Sequence, residues 1–187
     1  MTLLATARLN LVPFASVHVD GLNAMNSDPA VMRYLSGHPE TRDDTAAIVK
    51  RVERRWTECG YSWWSFIDRV SGEIVGAGAV QNLRREATAE PDPACPLEIG
   101  WRLRRDCWHQ GLASEAARAM AGFAFDTLEA DELYAVCHPD NVASAKVMKR
   151  LGMQDCGIQT WYGKGLTTYR LSATQWHSVH RKVQPGQ

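Results

Sequence analysis

The sequence has no excess of charge of either sign, because 21 basic and 21 acidic side chains balance over 187 residues. Non-specific binding to nucleic acid depends on neutralising many phosphates, so this balance argues against that class of partner. The chain also lacks an uncharged apolar run of about 18 residues, which argues against a membrane-spanning helix. We therefore predict a cytoplasmic protein that binds neither nucleic acid nor membrane.

Paired cysteines are also missing. The five cysteines are odd in number and none forms a C-x-x-C pair; they are Cys59, Cys95, Cys107, Cys137 and Cys156. Structural zinc sites usually show such pairs, so we predict no metal and reduced thiols.

The composition is that of a globular domain, with 45% hydrophobic and 22% charged residues. The length favours one domain, which we place at residues 1–176, followed by a flexible tail of residues 177–187. Hydrophobic periodicity predicts strands at residues 7–14, 61–70, 73–83, 97–103, 132–137, 154–162 and 166–171, and helices at residues 41–59, 111–128 and 141–151.

The order of these elements predicts the fold class. A strand–helix–strand crossover in the second half implies one parallel pair of strands in an otherwise antiparallel sheet. We therefore predict an α/β (α+β) fold with a mixed, mostly antiparallel twisted sheet of about seven strands, flanked by helices.

A turn rich in small residues follows the fourth predicted strand. Gly111 allows a ligand to approach the backbone, and Ala113 and Ser114 keep the first helical turn narrow. The unpaired N–H groups at a helix N-terminus bind anions such as a diphosphate. A small-residue helix start that only packs closely on the sheet explains the same residues, so both interpretations stay open.

A second polar segment follows the fifth predicted strand. Asn141 can cap the next helix or point its amide at a ligand, and Ser144 lies one turn further on the same face. The sequence alone does not separate an N-cap from a ligand contact here.

Together the two segments resemble the GNAT superfamily of acetyl-CoA-dependent N-acetyltransferases, and most closely its ribosomal-protein-alanine acetyltransferase branch. The resemblance is carried by Trp108-x-x-Gly111-x-Ala113-Ser-Glu-Ala and Asn141-x-x-Ser144-x-x-Val147-x-x-x-Leu-Gly152-Met, and it extends from Arg8-Leu-x-Leu-x-Pro-Phe14 and Ser27-Asp-Pro-x-Val-Met32 to Tyr169-Arg-Leu and Trp176.

The resemblance implies a site for acetyl-CoA. The main chain of Trp101, Arg102 and Leu103 would pair with the pantetheine arm between two diverging strands, aimed by a bulge near Gly100. The pyrophosphate would lie on the segment formed by His109, Gln110, Gly111, Leu112, Ala113 and Ser114. Asn141 would hold the pantetheine or the acetyl end. The adenosine phosphate would meet Lys146, Lys149 or Arg105, unless these form only a solvated basic face.

Catalysis needs a base for the amine, and Glu98 is the candidate because it lies beside the expected cofactor arm. A salt-bridged surface glutamate is the alternative interpretation. The backbone N–H of Trp101 or of a neighbour on the fourth strand would polarise the carbonyl. The resemblance implies a tyrosine as acid seven residues after Asn141, but Met148 stands there. Ser144 would then donate a hydrogen bond to sulfur.

The implied function is transfer of acetyl from acetyl-CoA to a primary amine, either a protein N-terminus or a small molecule, in a ternary complex. The vacant tyrosine position motivates the alternative of a non-catalytic acyl-CoA sensor. The loop at residues 84–96 has Glu86, Glu90 and Asp92 against Arg84 and Arg85, a hint of a cationic acceptor. A homodimer is left open.

Overall fold

A computed structural model describes residues 2–87 and 90–180, and within them one sheet of eight strands forms the centre of the molecule. The strands are β1 (Leu4–Ala5), β2 (Leu9–Pro13), β3 (Trp63–Asp68), β4 (Ile74–Asn82), β5 (Leu97–Leu103), β6 (Glu132–Cys137), β7 (Gln154–Trp161) and β8 (Lys164–Ser172). Their order in the sheet is β1-β2-β3-β4-β5-β6-β8-β7.

The sheet is antiparallel except where β5 pairs with β6. The predicted fold class and the single parallel pair are therefore confirmed. The sheet that was predicted to have about seven strands has eight, and the additional one is β1, which is only two residues long and shows no hydrophobic alternation.

Helices lie on both faces of the sheet. They are α1 (Val19–Asn26), α2 (Pro29–Met32), α3 (Arg42–Cys59), α4 (Leu112–Gly122), α5 (Val142–Arg150) and α6 (Ala173–His180). Short 3-10 turns at Ser16–His18 and Arg105–Cys107 connect them to the strands. α3 begins at the predicted Thr41 cap, whose hydroxyl accepts from the Asp44 N–H, and ends at Gly60 in the left-handed region.

Two helix ends differ from the prediction. α4 ends at Gly122 and continues as a π-helical turn, Phe123–Thr127, so the predicted helix to residue 128 is not α-helical throughout. α6 runs four residues past the predicted domain end at Trp176, which is itself buried. Residues 181–187 of the predicted tail lie outside the described residues.

The two faces of the sheet carry different layers. A Cβ built on Gly78 of β4 would lie 2.5 Å from Phe66 Cζ and 2.7 Å from Met120 Cε of α4, so Gly78 lets α4 pack closely on that face. α1, with α3 beside it, covers the opposite face, where a Cβ on Gly21 would meet the Ile74 side chain. The side chains of β5 alternate between these two layers.

Candidate active site

The sheet opens between its two parallel strands. β5 and β6 share one described pair, Glu98 with Tyr134, and then separate. On its other edge β5 stays in continuous register with β4, from Leu97 opposite Asn82 to Leu103 opposite Gly76. The second half of β5 therefore has a partner on one edge and an opening on the other.

Hydrogen bonds at both ends of the β4–β5 ladder fix which main-chain groups face β4. They run from Leu83 N to Pro96 O at 2.9 Å and from Arg104 N to Val75 O at 2.9 Å. Because hydrogen-bonded and non-bonded pairs alternate in an antiparallel ladder, the even-numbered residues of β5 direct their N–H and C=O groups towards β4. The odd-numbered residues direct theirs towards β6 and the opening.

This alternation of main-chain directions changes which residues of β5 can pair with the pantetheine arm. The main-chain groups of Trp101 and the N–H of Leu103 face the opening, as expected, while the Leu103 carbonyl accepts from Trp108 Nε1 at 2.9 Å. The main chain of Arg102 is paired with β4, so it cannot form an added ladder. The register also shows no bulge at Gly100; the departure of β6 creates the opening instead.

The turn before α4 has the backbone that an anion site needs. His109 (φ 62°) and Gly111 (φ 80°) are both in the left-handed region, and no side chain caps the helix. The N–H groups of Leu112, Ala113 and Ser114 precede the first i to i−4 bond, from Glu115 N to Gly111 O. A Cβ on Gly111 would meet only Arg8 Nη2, at 3.6 Å, so one side of this turn is open.

The N-terminal segment braces this turn from behind. Arg8 forms an ion pair with Glu115 at 2.6 Å, and its Nη1 donates to the Gln110 carbonyl at 2.9 Å. Thr6 Oγ1 donates to the same Glu115 carboxylate at 2.6 Å. Glu115 is therefore occupied, and these contacts hold the turn in place.

Glu98 is buried at the point where β5 and β6 separate, with 7% of its surface exposed. Its Oε1 accepts from Gln81 Nε2 at 2.7 Å and from the Tyr162 hydroxyl. Trp63 Nε1 donates to Gln81 Oε1 at 3.1 Å, which orients the Gln81 amide so that its N–H group faces the carboxylate. The alternative of a surface salt bridge is therefore wrong for this glutamate.

Burial raises the pKa of the Glu98 carboxyl, and the hydrogen bonds from Gln81 and Tyr162 and the charge of Arg84 oppose that shift. Burial and the neighbouring carboxylate raise the pKa of Tyr162, so its phenol stays protonated and donates. A carboxylate with a raised pKa at the end of a cleft is typical of a general base.

Tyr162 was not identified from the sequence. It lies in the turn between β7 and β8 with φ 56°, and its N–H donates to the Arg84 carbonyl at 2.9 Å. Gly163 N donates to the Arg85 carbonyl at 2.8 Å, and the Arg84 guanidinium lies 4.8 Å from the Tyr162 ring. The turn is thus docked on the loop after β4. The only sequence signal was a Tyr-Gly pair in a hairpin turn.

The α5 segment supports the capping interpretation of Asn141. Its Oδ1 accepts from Ser144 N at 3.2 Å, which leaves the amide nitrogen to face a ligand. Met148 is 2% exposed and belongs to the core. Lys146, like Lys149 and Arg105, is exposed, and no structural feature selects one of them as the phosphate partner.

Two of the three carboxylates in the loop after β4 have partners within the described residues. Glu90 pairs with Arg54 at 3.0 Å and with Arg55 at 2.9 Å, both on α3. Asp92 accepts from Ala94 N within its own turn. Glu86 is exposed, so it is the one carboxylate of the three that keeps the hint of a cationic acceptor.

A cysteine nucleophile and a metal site are the two other kinds of chemistry that the residue types bring into question. Cys137 is buried, and burial raises its pKa to about 11, which disfavours a thiolate nucleophile. Within residues 2–87 and 90–180, no group of three or more His, Cys, Asp and Glu side chains could hold a metal. The helices in this part of the chain are too short or too polar to span a membrane.

Comparison with known families agrees with this geometry. Residues 8–154 match the profile of the Acetyltransferase (GNAT) domain. The chain therefore belongs to the GNAT acetyltransferase family.

Individual relatives are distant but cover most of the chain. Protein YkkB of Bacillus subtilis, whose function is uncharacterised, is 33% identical over 144 residues, 76% of this chain and 79% of its own length. The FsC-acetyl coenzyme A-N(2)-transacetylase of Aspergillus fumigatus is 27% identical over 185 residues, 92% of this chain and 77% of its own.

Solved structures show the same fold at low identity. A GNAT-family acetyltransferase from Bacillus anthracis superposes with a TM-score of 0.76 at 22% identity, covering 92% of this chain and 99% of that one. A candidate ribosomal-protein-serine acetyltransferase from Vibrio cholerae gives 0.74 at 18% identity, with 91% and 97% covered.

Proposed function

We propose that the protein is an N-acetyltransferase that moves the acetyl group of acetyl-CoA to a primary amine by direct transfer in a ternary complex. The observation that carries this proposal is the buried Glu98, held by Gln81 and Tyr162 where β5 and β6 separate. Membership of the acetyltransferase family supports the donor, and so does the name of the Aspergillus fumigatus relative, which includes acetyl coenzyme A.

The residues present fit acetyl-CoA. The main-chain groups of Trp101 and the N–H of Leu103 offer a free strand edge to the two amides of the pantetheine arm. The uncapped turn of residues 109–114, with Gly111 in the left-handed region, offers N–H groups to a diphosphate. Asn141 and Lys146 stay proposed contacts, for the pantetheine amides and the adenosine phosphate.

Bound acetyl-CoA supplies a thioester whose carbonyl carbon is the electrophile. Glu98 takes a proton from the attacking amine, because only the neutral amine has a free electron pair. A main-chain N–H on the open edge of β5, that of Trp101 or of a neighbour that is not paired with the pantetheine arm, donates to the carbonyl oxygen as charge develops there. Ser144, on the first turn of α5, donates a hydrogen bond to the departing sulfur.

Two classes of acceptor are compatible with this chemistry. One is a protein N-terminus, as in the ribosomal-protein acetyltransferases that the sequence resembles. The other is a small-molecule amine, such as an aminoglycoside or an amino acid. Both need the same base, and they differ in the groups that surround the amine.

The test combines turnover with cofactor binding. Purified protein is incubated with acetyl-CoA and a panel of peptide N-termini, polyamines, aminoglycosides and amino acids, and release of free thiol is measured. We expect turnover with at least one amine. Glu98→Gln should lower kcat by about 10²–10⁴-fold because it removes the base. The Kd for acetyl-CoA, measured by calorimetry, should stay within about twofold, since Glu98 does not face the diphosphate turn.

The alternative function is a non-catalytic acyl-CoA sensor, motivated by the buried Met148 at the expected position of the acid. Calorimetric binding of acetyl-CoA without thiol release from any panel member, and without any effect of Glu98→Gln, would support that function and refute the enzyme.

A further inference from the structure

We propose that the acceptor amine carries a carboxylate, which the Arg102 side chain binds while the amine lies at Glu98. This inference rests on the proposed function and names the chemical class of its acceptor. Glu98, Gly100 and Arg102 alternate with the α4-facing residues, so all three lie on the α1 and α3 face of β5. Their spacing places Glu98 and Arg102 about 13 Å apart along the strand.

Arg102 is a half-buried cation, and no acidic residue in the described part of the chain forms an ion pair with it. Its Nε is buried and has no hydrogen-bond partner among the residues that the structure describes. Its guanidinium lies 5.0 Å from the Trp63 ring, which holds the plane of the side chain. A buried charge without a close counter-ion is costly, so a ligand carboxylate at this place would complete the arrangement.

Among the described residues, the acid that acts on Arg102 does not form an ion pair with it. Burial lowers the pKa of Arg102, and the charge of Glu40 opposes this shift from a distance. The Glu40 carboxylate already accepts from Asn26 Nδ2 at 2.8 Å and from Thr45 Oγ1 at 3.2 Å. Arg102 therefore keeps its donors for another anion.

The space between the two functional side chains is open. A Cβ built on Gly100 would have no heavy atom within 4 Å, although Ala77 and Ala79 next to it on β4 are fully covered. A small ligand can thus extend over Gly100 from Glu98 to Arg102. A larger side chain at this position would fill that space.

The surrounding charge also favours an anionic acceptor. Among the described residues, four arginines (Arg51, Arg54 and Arg55 of α3, and Arg84) lie near two carboxylates, those of Glu90 and Glu58. Burial and these neighbouring cations lower the pKa of Arg51. The same positive potential attracts a carboxylate and disfavours the ammonium form of the amine, which must be neutral to react.

The first test compares amines that differ only in charge. The pairs are glycine and glycinamide, β-alanine and β-alaninamide, and 4-aminobutyrate and 4-aminobutyramide, with kcat/KM expressed per unprotonated amine because the amides are weaker bases. We expect the acid of at least one pair to be preferred about tenfold or more, a ratio typical of a charge-assisted bidentate contact. Arg102→Gln should bring that ratio close to one, through a loss of kcat/KM for the acid that is larger than any loss for the amide.

Two control variants separate the role of Arg102 from general effects. Arg102→Lys keeps the charge and should keep part of the preference. Arg150→Gln removes an equal charge from an exposed position at the end of α5 and should change nothing. Equal rates for acid and amide in the wild type, or an equal loss of both in Arg102→Gln, would overturn the proposal. So would a weaker Kd for acetyl-CoA in Arg102→Gln, because that would assign Arg102 to the cofactor.

The second test does not need turnover. Protein saturated with CoA is titrated with N-acetylglycine and N-acetylglycinamide, and with the same pair built on β-alanine and 4-aminobutyrate. We expect tighter binding of one acid than of its amide, and no difference in Arg102→Gln. Absence of that difference overturns the carboxylate site. A preference for the acid in a protein that acetylates no amine would support this site and refute the proposed enzyme.

Discussion

Removing the hydroxyl of Tyr162 should change the pH dependence of acetyl transfer. The Tyr162 hydroxyl donates a hydrogen bond to the buried Glu98 carboxylate and so favours the charged form of Glu98. Burial has the opposite effect and favours the protonated form. A hydrogen bond to a charged group contributes about 1.5–3 kcal/mol, and one pKa unit corresponds to about 1.4 kcal/mol. Tyr162→Phe should therefore raise the pKa of Glu98 further, and at a pH on the acid limb it should lower kcat/KM by about tenfold or more.

The sign of the effect follows from the role of Glu98 as a base. The rate rises with pH as Glu98 loses its proton, so a higher pKa moves the acid limb of the kcat/KM profile to higher pH. The profile is measured by thiol release, and folding is checked by thermal melting. Tyr61→Phe is the matched control, since its hydroxyl bonds to Asn82 at 2.8 Å and does not touch Glu98. An acid limb at the same pH in Tyr162→Phe and wild type would refute this role of the hydroxyl.

Three further predictions concern the same site. Gly111→Ala places alanine at a φ near 80°, and the control Gly157→Ala places it at a φ near 75°. Each substitution should lower the free energy of unfolding by about 1 kcal/mol. Only Gly111→Ala should weaken acetyl-CoA binding, so equal Kd values for the two variants would contradict the diphosphate turn. Glu98→Gln should melt at a higher temperature than wild type at pH 8. Burial raises the pKa of Glu98 in the folded protein, so its carboxyl loses its stabilising contribution as the pH rises through that pKa. A lower melting temperature for Glu98→Gln would contradict the burial argument. Asn141→Ala should lower the free energy of unfolding by about 1 kcal/mol, because the N-cap of α5 is lost. Asn141→Asp should keep that stability and bind acetyl-CoA more weakly. Unchanged binding in Asn141→Asp would show that the Asn141 amide does not contact the cofactor.

Features that depend on residues close in sequence were predicted well. The capping box of Thr41 and Asp44, the glycine at the start of α4 and the N-cap at Asn141 involve contacts over a few residues. Local dihedral preferences and hydrogen bonds control such features, so the residue types are sufficient to indicate them. The parallel pair was predictable for a related reason, because a helical crossover constrains the direction of the strands it connects.

The expected main-chain role of Arg102 and the bulge at Gly100 were wrong because both depend on register. A strand of seven residues carries the same side-chain alternation whichever edge its N–H groups face. Only the pairing with β4, read from the ladder bonds at its two ends, shows that Trp101 faces the opening and Arg102 does not.

By itself, the sequence determined the fold class, the strand before the opening, the turn that begins α4 and the identity of Glu98 as a candidate base. The tertiary structure alone decided the environment of that base. Tyr162 lies 64 residues from Glu98 and Gln81 lies 17 residues from it, and both reach it because β4, β5 and the β7–β8 turn converge. Burial and hydrogen bonds between distant segments control the protonation of a side chain, and neither is encoded in a local pattern of residues.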